Sequence, residues 1–261
     1  MSDSPRVAIV TGGSGGIGQA IATVLARAHF AVVVTARRID PLEEIAATIR
    51  TATAGTVCAL TSDATSQSSV DDLVAVVLDR FGRIDLLVNC AASTSAVSND
   101  IEQLDVDNIL TDLNTKVCGY LRYARAVVPV MKREGSGRII NIGGLTGRSS
   151  DTVSGMRNVA ISHMTKALSD GLGPDGITVN AVHPGIVWTP HLLDLFKGIA
   201  EEGGNSVGDV EADFVARVPT RRIISAEEIG DVIAFLASPA AASITGESIA
   251  VDGGFSRGVY L

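Results

Sequence analysis

The residues best suited to chemistry come early in the chain, in the run Thr11-Gly12-Gly13-Ser14-Gly15-Gly16-Ile17-Gly18. Glycines let a turn take positive φ and approach a ligand closely, and the free N–H groups that open a helix favour an anion such as a pyrophosphate. A β-branched apolar stretch over 7–10 leads into this run, and Ala20, Ile21, Val24, Leu25 and Ala28 come after it at helical spacing. Between a strand and a helix, such a loop reads as a phosphate cradle. Arg37 and Arg38 stand just beyond the next apolar run, 31–35. An acid at that place would accept a hydrogen bond from a ribose 2′-hydroxyl, whereas a guanidinium suits a 2′-phosphate. Asp63, after a third apolar run, is at the level where a side chain reaches an adenine.

These groups need strands to carry them and helices to space them. The pattern predicts strands over 7–10, 31–35, 57–60, 85–89, 138–142, 177–182 and 248–252. Helices are predicted over 19–28, 41–49, 69–81, 106–131, 154–172 and 226–236. Near-continuous apolar strands alternating with helices imply an α/β fold, a Rossmann-like doubly wound parallel sheet. Residues 1–261 read as a single NAD(P)-binding domain. The segment at about 190–219, broken by Gly198, Gly203, Gly204 and Gly208, is the least regular and is expected to be a flexible substrate cover.

Composition narrows the partners. The net charge of −8 is spread without a basic stripe, and Trp188 is the one tryptophan, so no nucleic acid and no anionic membrane is expected as partner. No apolar run approaches about 18 residues and the first residues lack a signal-peptide pattern, so a cytoplasmic location is expected. Cys58, Cys90 and Cys118 sit in apolar settings without metal-ligand spacing; buried reduced thiols and no metal are expected.

From about residue 7 to residue 254 the chain resembles the short-chain dehydrogenase/reductase family. Thr11-Gly12, Gly16 and Gly18 resemble its T-G-x-x-x-G-x-G, and Asp63, followed by Ala64, resembles its adenine-contacting acid. Asn89-Cys90-Ala91-Ala92 resembles N-N-A-G, with Cys90 and Ala92 as departures. Asn114 resembles the active-site Asn, and Val251-Asp252-Gly253-Gly254 the closing V-D-G-G. Pro184-Gly185, with Ile186 and Thr189 after it, resembles the turn beside the nicotinamide. Ala36 at the acidic position, with Arg37 next to it, implies NADP(H) over NAD(H). The resemblance also implies a small-molecule substrate and a homodimer or homotetramer packed through the helices at 106–131 and 154–172.

The catalytic positions depart from that pattern. Family members carry a Ser after the fifth strand and a Y-x-x-x-K pair on the next helix. The Tyr exchanges the substrate proton, the Lys lowers its pKa and holds the nicotinamide ribose, and the Ser orients the substrate oxygen. Gly144 holds the Ser position, and counting back from Thr165-Lys166 puts the Tyr and Lys positions on Ser154 and Asn158. Tyr120, Tyr123 and Tyr260 have no lysine four residues on. Asn114, Ser154 and Asn158 are thus the catalytic positions in degenerate form, with Asn158 still suited to ribose hydroxyls. Lys166 lies about 12 Å further along the helix, out of reach. His163 and Arg157 read as packing or subunit-contact residues, though Arg157 could also lend charge to the pocket. Losing an acid–base group removes about 10²–10⁴-fold in rate. Three readings stay open: an oxidoreductase whose proton comes from water, substrate or a residue such as His191; a cofactor-binding sensor or inactive subunit; and a lyase or isomerase in the same pocket. Trp188, Leu192, Leu193, Leu195, Phe196 and Phe214 either line an apolar substrate pocket or pack a core.

Overall fold

The computed structural model describes residues 4–92, 100–148, 152–153 and 155–258. The predicted strands form β1 (Val7–Thr11), β2 (Ala31–Ala36), β3 (Val57–Thr61), β4 (Leu86–Asn89), β5 (Gly137–Ile142), β6 (Ile177–Pro184) and β7 (Ser248–Val251). They pair in parallel in one sheet of order β3-β2-β1-β4-β5-β6-β7. Val10 pairs with Val34 on one side and with Val88 on the other. The chain therefore leaves β1 in one direction and returns to its other flank at β4, which opens a crevice at the carboxyl ends of these strands.

The α-helices are α1 (Gly16–Arg27), α2 (Ile39–Thr53), α3 (Gln67–Phe81), α4 (Val106–Leu113), α5 (Gly119–Glu134), α6 (Gly155–Leu172), α7 (Pro190–Gly203), α8 (Val207–Arg217) and α9 (Ala226–Leu236). Alternation along each strand feeds two cores. Ala8, Val10, Val32 and Val34 face α1, α2 and α9, while Val7, Ile9, Val33 and Leu87 face α3 and α5. Both sheet faces are covered, as the unbroken apolar strands require.

Two expected elements need correction. The helix predicted over 106–131 is interrupted by a π-turn, Asn114–Cys118, and then runs on to Glu134. The segment 190–219 is not irregular. Thr189 caps α7, with its hydroxyl accepting from the Leu192 N–H at 3.2 Å, and Gly204 ends that helix at φ 64°. A reciprocal Ser206–Asp209 capping box then starts α8. Gly198 lies inside a regular helix, so glycine alone did not break it. The two helices pack on each other through Leu192, Phe196, Ala200 and Val210. The expected thiol burial is also incomplete: Cys58 and Cys90 are half-buried, and Cys118, in the π-turn, is exposed.

Candidate cofactor and active site

The crevice holds a cavity of about 300 Å³. Gly12, Ser14, Arg37, Arg38, Asp63, Ala64 and Ala91 line it as the sequence anticipated, joined by Thr11, Thr35, Ala36, Pro41, Ser62, Thr65, Ala92, Thr111, Thr115 and Tyr123. The glycines are there for lack of space. A Cβ on Gly12, whose φ is 67°, would stand 2.8 Å from the Ala91 Cα, and one on Gly18 would collide with the Gly12 carbonyl. The loop is drawn against β4 by Thr11, whose hydroxyl accepts from the Cys90 and Ala91 N–H groups at 2.9 and 3.1 Å. Gly15 caps α1, Gly16 and Ile17 form its first turn, and the helix axis points its free N–H groups toward the loop. Thr189 lies over Gly16, 3.3 Å from where a Cβ would be.

Arg37 and Arg38 form no ion pair or hydrogen bond among the described residues, and both are exposed at the cavity rim. Asp63 is fixed by the Thr65 N–H and hydroxyl, which donate to Oδ1 at 2.9 and 2.7 Å. Those bonds, with smaller help from Arg37 and Arg122, hold its carboxyl below the usual carboxylate range. Asn89 does not enter the cavity. Its amide donates to Asn141 Oδ1 at 2.9 Å, and Asn141 donates to the Thr165 hydroxyl at 3.0 Å, so the side chain is buried between β4, β5 and α6. Pro184 ends β6 and Gly185 follows it, where a Cβ would stand 2.6 Å from the Asp252 Cα. Ile186 packs with the α7–α8 cluster instead of facing the cavity.

At the carboxyl ends of β4 and β5 the structure assembles a second group of residues. Asn158 is 2% exposed; its amide donates to the Thr146 hydroxyl at 2.7 Å, and its Oδ1 accepts from Lys116 Nζ at 2.9 Å. Lys116, itself 4% exposed, also donates to the Gly143 carbonyl at 2.8 Å. Burial pushes its ammonium down to about 7, and the nearby Arg157 guanidinium adds to the effect. Asp112 would oppose that, but its carboxylate is paired with Arg157 Nη1 at 2.5 and 2.6 Å. His183 spans Gly144 and Ser162 behind this group.

Lys116 was not anticipated, and Asn114 was expected in its stead. The Asn114 side chain is exposed and accepts from Arg122 Nη2 at 2.7 Å. Both residues lie in the π-turn, and two residues are about 200° apart around a helix axis, so with Lys116 directed inward Asn114 points away. Ser154 lies outside the described residues. Lys166 pairs with Asp170 on the surface, and His163 and His191 are exposed.

A family profile described as enoyl-(acyl carrier protein) reductase matches residues 12–256. The chain is 36% identical over 252 residues to the short-chain reductase protein NovJ of Streptomyces niveus, covering 95% of this chain and 93% of that one. The chain belongs to the short-chain dehydrogenase/reductase family. It is also 29% identical to the NADPH-dependent reductase BacG of Bacillus subtilis, over 98% of this chain and all of that one. Among solved structures, an actinorhodin polyketide ketoreductase variant with NADPH superposes with a TM-score of 0.89 at 32% identity, covering 97% of this chain and 98% of that one. An NAD+-bound xylitol dehydrogenase superposes at 0.88 with 27% identity, covering 97% of this chain and all of that one.

A Cβ on Gly144 would stand 2.8 Å from Asn158 Nδ2, so the Asn158 carboxamide fills the space in front of Gly144. Trp188, Phe196 and Phe214 do not form an open apolar wall. Phe196 is fully buried, edge-on to Trp188 at 6.0 Å between ring centroids and tilted on Phe214 at 4.9 Å. Leu193 and Leu195 are exposed on the outer side of α7.

Proposed function

We propose that this short-chain dehydrogenase/reductase binds NADP(H) in preference to NAD(H) and acts as an oxidoreductase on a small organic substrate, with a proton route that does not use a tyrosine. The observation that carries the cofactor choice is the rim of the cavity. Two guanidiniums without partners among the described residues stand where Ala36 replaces an acid. Three surrounding features fit the rest of the molecule: the Thr11–Gly18 loop for the pyrophosphate, Asp63 and Ala64 for the adenine, and Ala91 for the ribose side. When bound, the cofactor supplies or accepts a hydride. The chain's own work is to hold it with its reacting ring toward the ends of β4, β5 and β6, and to keep water out with α7 and α8, which we assign as the substrate cover.

Titration of intrinsic NADPH and NADH fluorescence tests this. NADPH is expected to bind at least tenfold more tightly, and Arg37→Ala to remove most of that margin, since each tenfold is about 1.4 kcal/mol, the scale of one charge-assisted contact. Equal affinities for the two would overturn the assignment.

One observation favours a second reading, that of a cofactor-binding subunit without turnover: the Asn158 carboxamide sits against Gly144 where a substrate-orienting hydroxyl would project. Consumption of NADPH across ketones, activated alkenes and imines separates the two, and measurable turnover removes the second. A cytoplasmic location and a homodimer or homotetramer complete the proposal.

A further inference from the structure

A buried lysine hydrogen-bonded to a carboxamide of α6 is the feature that neither the motifs nor the proposed function uses. On the reading that the crevice takes NADP(H), we propose that Lys116 is the cation of the reacting end: held by the Gly143 carbonyl, it positions Asn158 and brings to the nicotinamide ribose, from the π-turn, the positive charge that position 158 lacks.

Geometry supports this in three ways. The ammonium lies at the carboxyl ends of β4 and β5, the side of the sheet on which the cavity opens, and Thr115 beside it lines that cavity. Asn158 and Lys116 are tied directly at 2.9 Å, so the carboxamide oxygen is committed to the lysine and only the amide edge remains for acceptors. Two of the three Nζ hydrogens are engaged, and the third has no acceptor among the described residues. An amine buried in this way without its own carboxylate is an uncommon feature, and one that favours an incoming oxygen or anion.

The groups around it set its charge. From α6 the Arg157 guanidinium disfavours the ammonium; from α4 Asp112 favours it weakly, being paired to Arg157; from the end of β4 the Cys90 thiol faces it. Tyr120 on α5 donates to the Ile142 carbonyl and keeps its proton, because burial raises its pKa well above the ordinary value. His183 on β6 stands on the far side of Gly143 and Gly144. With the amine titrating at about 7, much of the free protein is uncharged there at pH 8. A dinucleotide that needs the ammonium must then bring a proton in with it.

Calorimetric titration of NADPH at pH 8, in two buffers of different ionisation enthalpy, reads that proton directly. Wild type is expected to take up roughly half a proton or more per site. Lys116→Met is expected to take up none and to bind about tenfold more weakly, the scale of one charged contact. The exchange variant, Lys116→Asn with Asn158→Lys, keeps one amine and one carboxamide in the pair and is expected to restore both uptake and affinity. A purely structural lysine would leave uptake unmoved: folded Lys116→Met with wild-type affinity and uptake overturns the inference. If that variant does not fold, an exchange variant that binds NADPH without proton uptake overturns it equally. Wild type binding NADPH with no uptake overturns the inference alone, and wild type binding no NADPH overturns the cofactor reading together with it.

Discussion

Lys116 costs the folded protein stability, and the sign of that cost can be followed with pH. Its pKa is about 7 in the folded chain against an ordinary value of 10.5, so between those values the unfolded chain binds more protons than the folded one. Stability from this group therefore rises as pH climbs from about 7 to 10.5, and the full penalty is present below about 7. Lys116→Met removes the penalty while filling the same volume. Its melting temperature is expected to exceed wild type by several degrees at pH 6 and by much less at pH 9.5, a trend thermal scans at the two pH values would check; equal shifts at both would sink it. Gly144 carries a second expectation at this scale. Under the proposed assignment of the family's residues, Gly144→Ser, Ser154→Tyr and Asn158→Lys together put a second ammonium beside Lys116, and like charges in a dry pocket disfavour each other. The triple variant is expected to fold poorly or to stay inactive on ketones. Adding Lys116→Asn is expected to recover the melting temperature and raise ketone reduction by at least tenfold over the triple variant, measured as NADPH consumption. Equal rates in the two variants would count against the shared pocket.

At the scale of elements, what the sequence disclosed depends on what each element buries. Strands in a doubly covered parallel sheet must be apolar on both faces, so β1 to β7 were visible as runs such as Ala31 to Thr35 and Ile177 to Val182. Helix α9 was equally plain, its ends marked by the Ser225–Glu228 capping box and the last apolar residue, Leu236. The π-turn left no such mark. A continuous helix and a helix with one inserted residue differ by a rotation of about 100° after the insertion, and Asn114, Val117, Leu121, Ala124 and Val128 fit the uninterrupted spacing well enough to conceal it. That is why much of the cavity lining was legible and the inward Lys116 was not: the first rests on glycines and loop positions fixed by strand ends, the second on the facing of one helix. Lys116 offered one signal, a charge in a stretch otherwise read as buried. The glycine loop gives a direct test of element-level reasoning. Gly12→Ala must adopt φ 67° and place its Cβ 2.8 Å from the Ala91 Cα. Left-handed backbone alone costs an alanine about 1–2 kcal/mol, and the contact adds to it. A loss of at least that size in denaturant unfolding is expected, together with loss of NADPH binding; a variant of unchanged stability would show that the turn relaxes freely.

At the scale of the whole molecule, the two expected subunit-contact helices each present apolar side chains to solvent. Leu110 on α4 is 57% exposed, and Met156 and Val159 on α6 are 51% and 55% exposed. The Asp112–Arg157 ion pair ties α4 to α6. Scattered apolar side chains need no explanation, but Met156 and Val159 share a shallow concavity with Thr152, Val153, Gly155 and Ala160, a form that suits a self-complementary interface. A dimer built this way would also brace the reacting end, because Asp112 and Arg157 are the charged neighbours of Lys116. Met156→Arg with Val159→Glu is therefore expected to lower the solution mass, by light scattering after size exclusion, to that of a single chain. The same variant is expected to make the melting temperature independent of protein concentration, where wild type is expected to gain stability as concentration rises. Because the substitutions lie on the solvent side of α6, NADPH is expected to remain bound, weakened a few-fold at most. A wild-type chain that runs as a monomer at micromolar concentration would contradict the proposed assembly, and loss of fold in the variant would place these side chains in the monomer's own core, against their exposure here.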